Sequence, residues 1–199
     1  MNSSCNSLTL LPVLAFVLLA GMTETKAQQR NGGEDEAYLS PSASVATGKA
    51  PGMKVRLLAE NKGVKKYAIV LAKGDEVMSG LTDFARQNNV TSASFTAIGA
   101  FSHATVAWFD DNRKEFKLIP IKQQVELISM TGDIALSGEQ PIVHTHVAVA
   151  SSDGTVRGGH LIEAEVFPTV ELFLTVYPTA LHKQLDEATG LKLIDPFLK

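Results

Sequence analysis

Cysteine is almost missing from this sequence: Cys5 is the only one in 199 residues, and it lies near the N-terminus. Beyond it, a disulfide scaffold, a thiolate metal site and a cysteine nucleophile are all excluded. Positive charge is also in short supply, with 18 Lys and Arg against 21 Asp and Glu and a net charge of −3. Sequence-independent nucleic-acid binding needs a basic face, which this balance does not provide. After the first apolar stretch, no second one approaches the length of a membrane span. No G-x-S-x-G, P-loop or H-E-x-x-H motif occurs, so none of those three catalytic arrangements is present. No repeat period is visible.

What is present begins with a leader. Residues 8–22, LTLLPVLAFVLLAGM, carry no charge and precede Thr25-Lys26-Ala27, a small-x-small cleavage pattern ahead of Gln28. This reads as a secretory signal peptide over residues 1–27, and so as an exported protein, periplasmic or extracellular. The rival reading is an uncleaved anchor, because Met1 to Ser7 contain no Lys or Arg. Against it, the apolar run is at the short end for spanning and contains Pro12. Residues 28–52 are rich in Gln, Gly, Ser, Ala and Pro, show no sustained period, and read as a flexible linker. Residues 53–199 then form one domain.

Within that domain the pattern is mostly strand. Lys54–Glu60 and Lys66–Ala72 flank an Asn61-Lys62-Gly63 turn and read as a hairpin. Val77, Leu81, Phe84 and Ala85 fall at helical spacing, with Asp75 as the cap and Asn88-Asn89 as the stop. Strands are expected at 92–98, 105–109, 116–121, 125–131, 134–136, 142–150, 160–166 and 170–177. A short polar helix is expected at 181–189 before Gly190. The fold class is therefore α+β: a mainly antiparallel β-sheet, closed or nearly closed, with one flanking helix and a short C-terminal helix.

Histidine carries the chemistry. In a strand, residues two apart share a face, so His144 and His146 project together. The turn at 151–154 returns the chain, and Gly158-Gly159 permits close backbone approach, so His160 can lie across from the pair. Three imidazoles with open positions suit a divalent metal that accepts water or a small-molecule ligand. With no thiolate, the choice is among Zn, Ni, Mn, Fe and similar ions, which spacing does not decide, and zinc is the expected one. The competing reading is ordinary strand histidines satisfied at a subunit interface. Glu163 and Glu165 fall on the face opposite His160 and read as solvated. Glu171, among Val170, Leu172 and Phe173, is a carboxylate costly to bury. It is the candidate for acid/base work, for completing the coordination or for orienting a ligand, with a half-exposed edge residue as its plain alternative. His103 is a further candidate for the same cavity, and His182 reads as solvated.

Gly74-Asp75-Glu76, Ala97-Ile98-Gly99-Ala100, the run Val125 to Gly132, the His144-Thr145-His146 motif and Gly158-Gly159-His160-Leu161 occur in that order. Together they resemble the PPC domain, the plants-and-prokaryotes conserved domain, over about residues 54–195. The resemblance implies an antiparallel sheet with a flanking helix, assembled as a homotrimer. The same fold group is similar to acetolactate decarboxylase, whose H-x-H plus H metal ligands correspond by position to His144, His146 and His160. Plant members accompany AT-hook motifs in nuclear DNA-binding proteins. Here no Arg-Gly-Arg-Pro occurs, and Gln123-Gln124-Val125-Glu126-Leu127-Ile128 stands where plant domains carry Gly-Arg-Phe-Glu-Ile-Leu.

Three function classes follow. The first is a metal-dependent lyase or hydrolase acting on a small carbonyl substrate. The second is a non-catalytic trimeric binding module with a structural metal. The third is DNA binding by family analogy, which both the charge balance and the leader disfavour.

Overall fold

A computed structural model describes residues 36–198. The proposed signal peptide and Cys5 lie outside the described residues. The described residues cluster as one compact unit. In chain order its elements are β1 (Tyr38–Leu39), β2 (Lys54–Asn61), β3 (Val64–Ala72), α1 (Val77–Gln87), β4 (Ser92–Asp110) and β5 (Glu115–Ile121). They are followed by β6 (Val125–Ser137), β7 (Gln140–Ala150), β8 (Val156–Val176), β9 (His182–Leu185) and β10 (Lys192–Asp195). The sheet runs β1-β5-β4-β6-β7-β8-β3-β2, and β4 pairs with β8 as well. That extra pairing joins β4, β6, β7 and β8 into a nearly closed ring, as expected for an α+β domain of this pattern.

Between residues 92 and 177 the strands are longer and fewer than their sequence punctuation suggests, five where eight are expected. Gly99 reads as a strand end, yet β4 continues through it. There the pairing with β6 shifts register between Ala97 and Gly99, a bulge that bends the strand without ending it. A Cβ on Gly99 would sit 2.3 Å from the Thr169 carbonyl oxygen, so this position belongs to glycine because β8 passes so close. Similarly, the separate strands expected at 160–166 and 170–177 are one strand, β8, with register shifts against β4.

Helix α1 buries Val77, Leu81, Phe84 and Ala85, the residues whose spacing announces it, and packs against β7 and β8. Its cap differs from expectation. Glu76 takes the N-cap position, its carboxylate accepting from the backbone N–H groups of Met78 (3.0 Å) and Ser79 (2.6 Å). The same carboxylate accepts from Ala164 N–H on β8 at 3.1 Å, pinning the helix start to the sheet. Asp75 is buried instead and accepts from the backbone N–H groups of Gly52 and Ala72, each at 2.8 Å. Asn88 closes the helix, donating from Nδ2 to the Phe84 carbonyl.

Two further differences matter for the site. Part of the segment read as a linker is ordered: β1 pairs with β5, and residues 48–52 donate to Asp83, Ser79 and Asp75. The C-terminal stretch read as a polar helix is instead the hairpin β9–β10, in register from Leu185–Lys192 to His182–Asp195. The Asp186 carboxylate accepts from Thr189 N–H and Oγ, and Gly190 adopts φ +76°, so this segment forms a turn rather than a helical one. Local side-chain bonds of this kind compete directly with helix. Leu136 N–H donates to the Leu181 carbonyl and lays β9 beside β6.

Candidate metal centre

Three strands of the ring bring the histidines together. On β7, His144 and His146 alternate with buried Val143, Thr145 and Val147, so both imidazoles leave the core side of the sheet. Across the ladder, His146 is opposite His160 on β8, and His144 is opposite Asp133 on β6. The close approach rests on glycine. A Cβ on Gly158 would lie 2.4 Å from the Val147 carbonyl oxygen, and one on Gly159 would lie 2.6 Å from that of Ala107. At Gly132, a Cβ would meet the His144 carbonyl oxygen and the Phe95 ring, each at 2.4 Å.

The result is three ring nitrogens within 4.8 Å of one another. His144 Nε2 and His146 Nε2 are 3.3 Å apart. The ring centroids of His144, His146 and His160 are 5.2 to 5.5 Å apart pairwise. Phe116 of β5 stacks on His160, centroid to centroid 4.6 Å at 15° between planes, and shields that ring's far face. Burial, and then the neighbouring imidazoles, hold the His160 pKa down to about 4. Burial followed by the His144 charge also lowers that of His146. Both rings are therefore biased toward the neutral form, the form that donates a lone pair to a metal.

Asp133 adds what sequence reasoning missed. Its Oδ2 is 3.2 Å from His144 Nδ1, and Lys183 Nζ on β9 is 3.1 Å from its Oδ1. Burial raises the Asp133 pKa, but the His144 hydrogen bond and the Lys183 charge outweigh it, so the carboxyl stays below its ordinary value and ionised. The only sequence signal for Asp133 is its parity with the outward face of β6. Lys183 had none, because it belongs to a strand that the local pattern presents as helix.

The other candidates are not brought to this cluster. Glu171 is exposed, eleven residues further along β8 from His160, roughly 36 Å of strand at about 3.3 Å per residue, and lies between Val70 and Ile98. It escapes the burial cost expected of it because its face of the sheet is the outer one. His103 is opposite Glu165, with Nδ1 3.1 Å from Ser102 Oγ, and does not join the three histidines. Glu163 and Glu165 are exposed, accepting hydrogen bonds from Thr105 and Ser102 respectively. His182 is opposite Asp195 in the terminal hairpin.

Residues 58–178 match the model of the Plants and Prokaryotes Conserved (PCC) domain. A plant- and prokaryote-conserved protein of Pyrococcus horikoshii is 28% identical with a TM-score of 0.63, the match covering 78% of this chain and all of that one. A protein of Archaeoglobus fulgidus described as metal-containing is 27% identical at a TM-score of 0.61, covering 71% of this chain and 96% of that one. A Ralstonia eutropha JMP134 protein, provisionally described as DNA-binding, is 35% identical at a TM-score of 0.62, covering 65% of this chain and 90% of that one. Among curated proteins, the bifunctional protein GlmU of a Synechococcus strain is 28% identical over 130 residues. The match covers 64% of this chain and about one fifth of that relative's length.

Proposed function

The chain belongs to the Plants and Prokaryotes Conserved domain family, and we propose that it is an exported member that binds a divalent metal, zinc, through His144, His146 and His160. The observation that carries this reading is the convergence of the three imidazoles. At Zn–N distances of about 2.0–2.1 Å, two ligands of a tetrahedral ion are separated by about 3.3–3.4 Å. The 3.3 Å between His144 Nε2 and His146 Nε2 suits that chemistry. A set of three nitrogens with no thiolate leaves a coordination position for water or substrate, the pattern of a reactive rather than a closed structural site. The metal-containing relative from Archaeoglobus fulgidus supports the same reading.

When bound, such an ion polarises a carbonyl or lowers the pKa of a water molecule, which suits a lyase or hydrolase acting on a small carbonyl compound. Asp133 fixes the His144 ring, and Phe116 and the sheet shelter His160 from solvent. Glu171 has no part in this proposal, because its position removes it from the cluster. Purified protein prepared without chelator is expected to carry close to one zinc per chain by elemental analysis. A metal-free preparation that also fails to take up added zinc overturns the reading.

The family resemblance to a homotrimer has an independent support in the outer sheet face. Val70, Ile98, Ile128 and Phe173 lie on β3, β4, β6 and β8, on the side away from the core, with Ile98 61% and Phe173 60% exposed. Exposed apolar side chains gathered on one sheet face, here with the Glu171 carboxylate between Val70 and Ile98, suit an association surface with a polar contact inside it. In sedimentation, the wild-type protein is expected at three protomer masses and Phe173→Asp at one. A monomeric wild type contradicts the proposed assembly and leaves the metal reading intact.

A further inference from the structure

The match to the family model ends at residue 178, and β9 begins at His182. Yet β9 supplies one of the least exposed charged side chains among the described residues: Lys183, 8% exposed. Burying an ammonium group is costly unless an opposite charge meets it. Its Nζ faces Asp133 Oδ1 at 3.1 Å. That oxygen is itself buried and has no hydrogen-bond donor in line with it, so Lys183 is the cation that compensates it. The other oxygen, Oδ2, faces His144 Nδ1 at 3.2 Å. His144 Nε2 is thereby left toward His146, 3.3 Å away.

We infer that Lys183 is a positioning residue of the metal centre: by holding the Asp133 carboxylate in place, it fixes the ring orientation and tautomer of His144. This rests on the metal reading above and extends it to a strand outside the family match. The physical argument is one of hydrogen bonding. A ligating imidazole needs its second nitrogen to donate, so the ring that presents Nε2 to a metal must carry its proton on Nδ1. An ionised carboxylate opposite Nδ1 selects that tautomer. The carboxylate has two oxygens and a free torsion, and one bond to His144 does not fix it. The ion pair with Lys183 supplies the second point of attachment. β9 is itself secured by Leu136 N–H to the Leu181 carbonyl at 2.8 Å and by pairing with β10. The terminal hairpin thus carries the ammonium group to the centre.

The test measures affinity of the full chain for cobalt(II), whose visible absorption reports ligand geometry, and for zinc by competition with a chelator. Asp133→Asn is expected to weaken both by about 10–100-fold, the usual effect of removing a ligand's supporting partner. Lys183→Met, similar in length and uncharged, is expected to weaken them by about 5–20-fold, within or just below that range. It should also broaden or shift the cobalt absorption. Lys183→Arg restores the charge and is expected to bring affinity back to within about 3-fold of wild type, since both residues place a cation at the carboxylate. In an Asp133→Asn background, Lys183→Met is expected to produce no further loss, because its effect acts through that carboxylate. Thermal unfolding of the metal-free variants shows that each is folded, and Lys183→Gln replaces Lys183→Met if the latter is not. Wild-type affinity in Lys183→Met or its Gln replacement, an undiminished loss in the Asp133→Asn background, or failure of Lys183→Arg to rescue overturns the inference. A wild type that binds neither metal removes the underlying metal reading instead, and this inference with it.

Discussion

His146→Ala is expected to abolish stoichiometric zinc binding while leaving the protein folded. Of the three imidazoles this is the exposed one, so shortening it opens no cavity and leaves no buried group without a partner. Its neighbours Thr145 and Val147, which face the core, are untouched. The metal would lose one of three protein ligands, and the drop in affinity is expected to exceed the roughly 10–100-fold cost of losing only a supporting hydrogen bond. Elemental analysis and chelator competition measure the loss, and thermal unfolding of the metal-free forms should give nearly equal midpoints for variant and wild type. Full zinc content in His146→Ala would mean that the three histidines do not act as one ligand set. His160→Ala is a poorer probe, because the ring stacked on Phe116 is partly buried and its removal disturbs packing as well as coordination.

The second large effect is on acid stability of the metal-free protein. His160 in the folded chain has a pKa of about 4, against an ordinary value of 6.5 when the chain unfolds. Between those two values the unfolded state binds the proton and the native state does not, so stability rises with pH across that window. It is fully present above about pH 6.5 and is lost progressively as pH falls toward about 4. The gap of about 2.5 pH units corresponds to about 3 kcal/mol, a large fraction of a typical domain's stability. Denaturant unfolding of the chelator-treated protein at pH 7.5 and pH 4.5 should show this loss, and His160→Gln, which cannot titrate, should flatten it. An equally steep dependence in His160→Gln would place the acid sensitivity in other groups. Bound metal should make wild type more stable at pH 7 and steeper in its acid response, because protons and metal compete for the same nitrogens.

Much of this molecule is readable along the chain. Helix α1 announces itself because Val77, Leu81, Phe84 and Ala85 recur at the helical period and have one apolar side to bury. The pairing of His144 with His146 follows from strand parity alone, and Gly158-Gly159 forecasts the close approach that puts His160 across from them. What fails is punctuation. Gly99 looks like a strand end when it is a bulge beside a crossing backbone, since a glycine that allows a turn and one that allows a close contact are the same residue in one dimension. The 181–189 segment looks like a polar helix because four strand residues are too few to establish a period, and their partners lie on β6 and β10.

The carboxylates show the division most clearly. Glu171 was conspicuous for its apolar neighbours in sequence, yet alternation sends those neighbours inward and Glu171 out to the exposed face. Asp133 was inconspicuous, and register places it opposite His144. By itself the sequence determined the α+β class, the thiol-free chemistry of the domain and the identity of the three histidines, because composition and parity are local properties. Only the tertiary structure decided which carboxylate and which lysine accompany them. Those contacts depend on the pairing of β6 with β7 and the docking of β9, and register between distant segments is set by packing of the whole core.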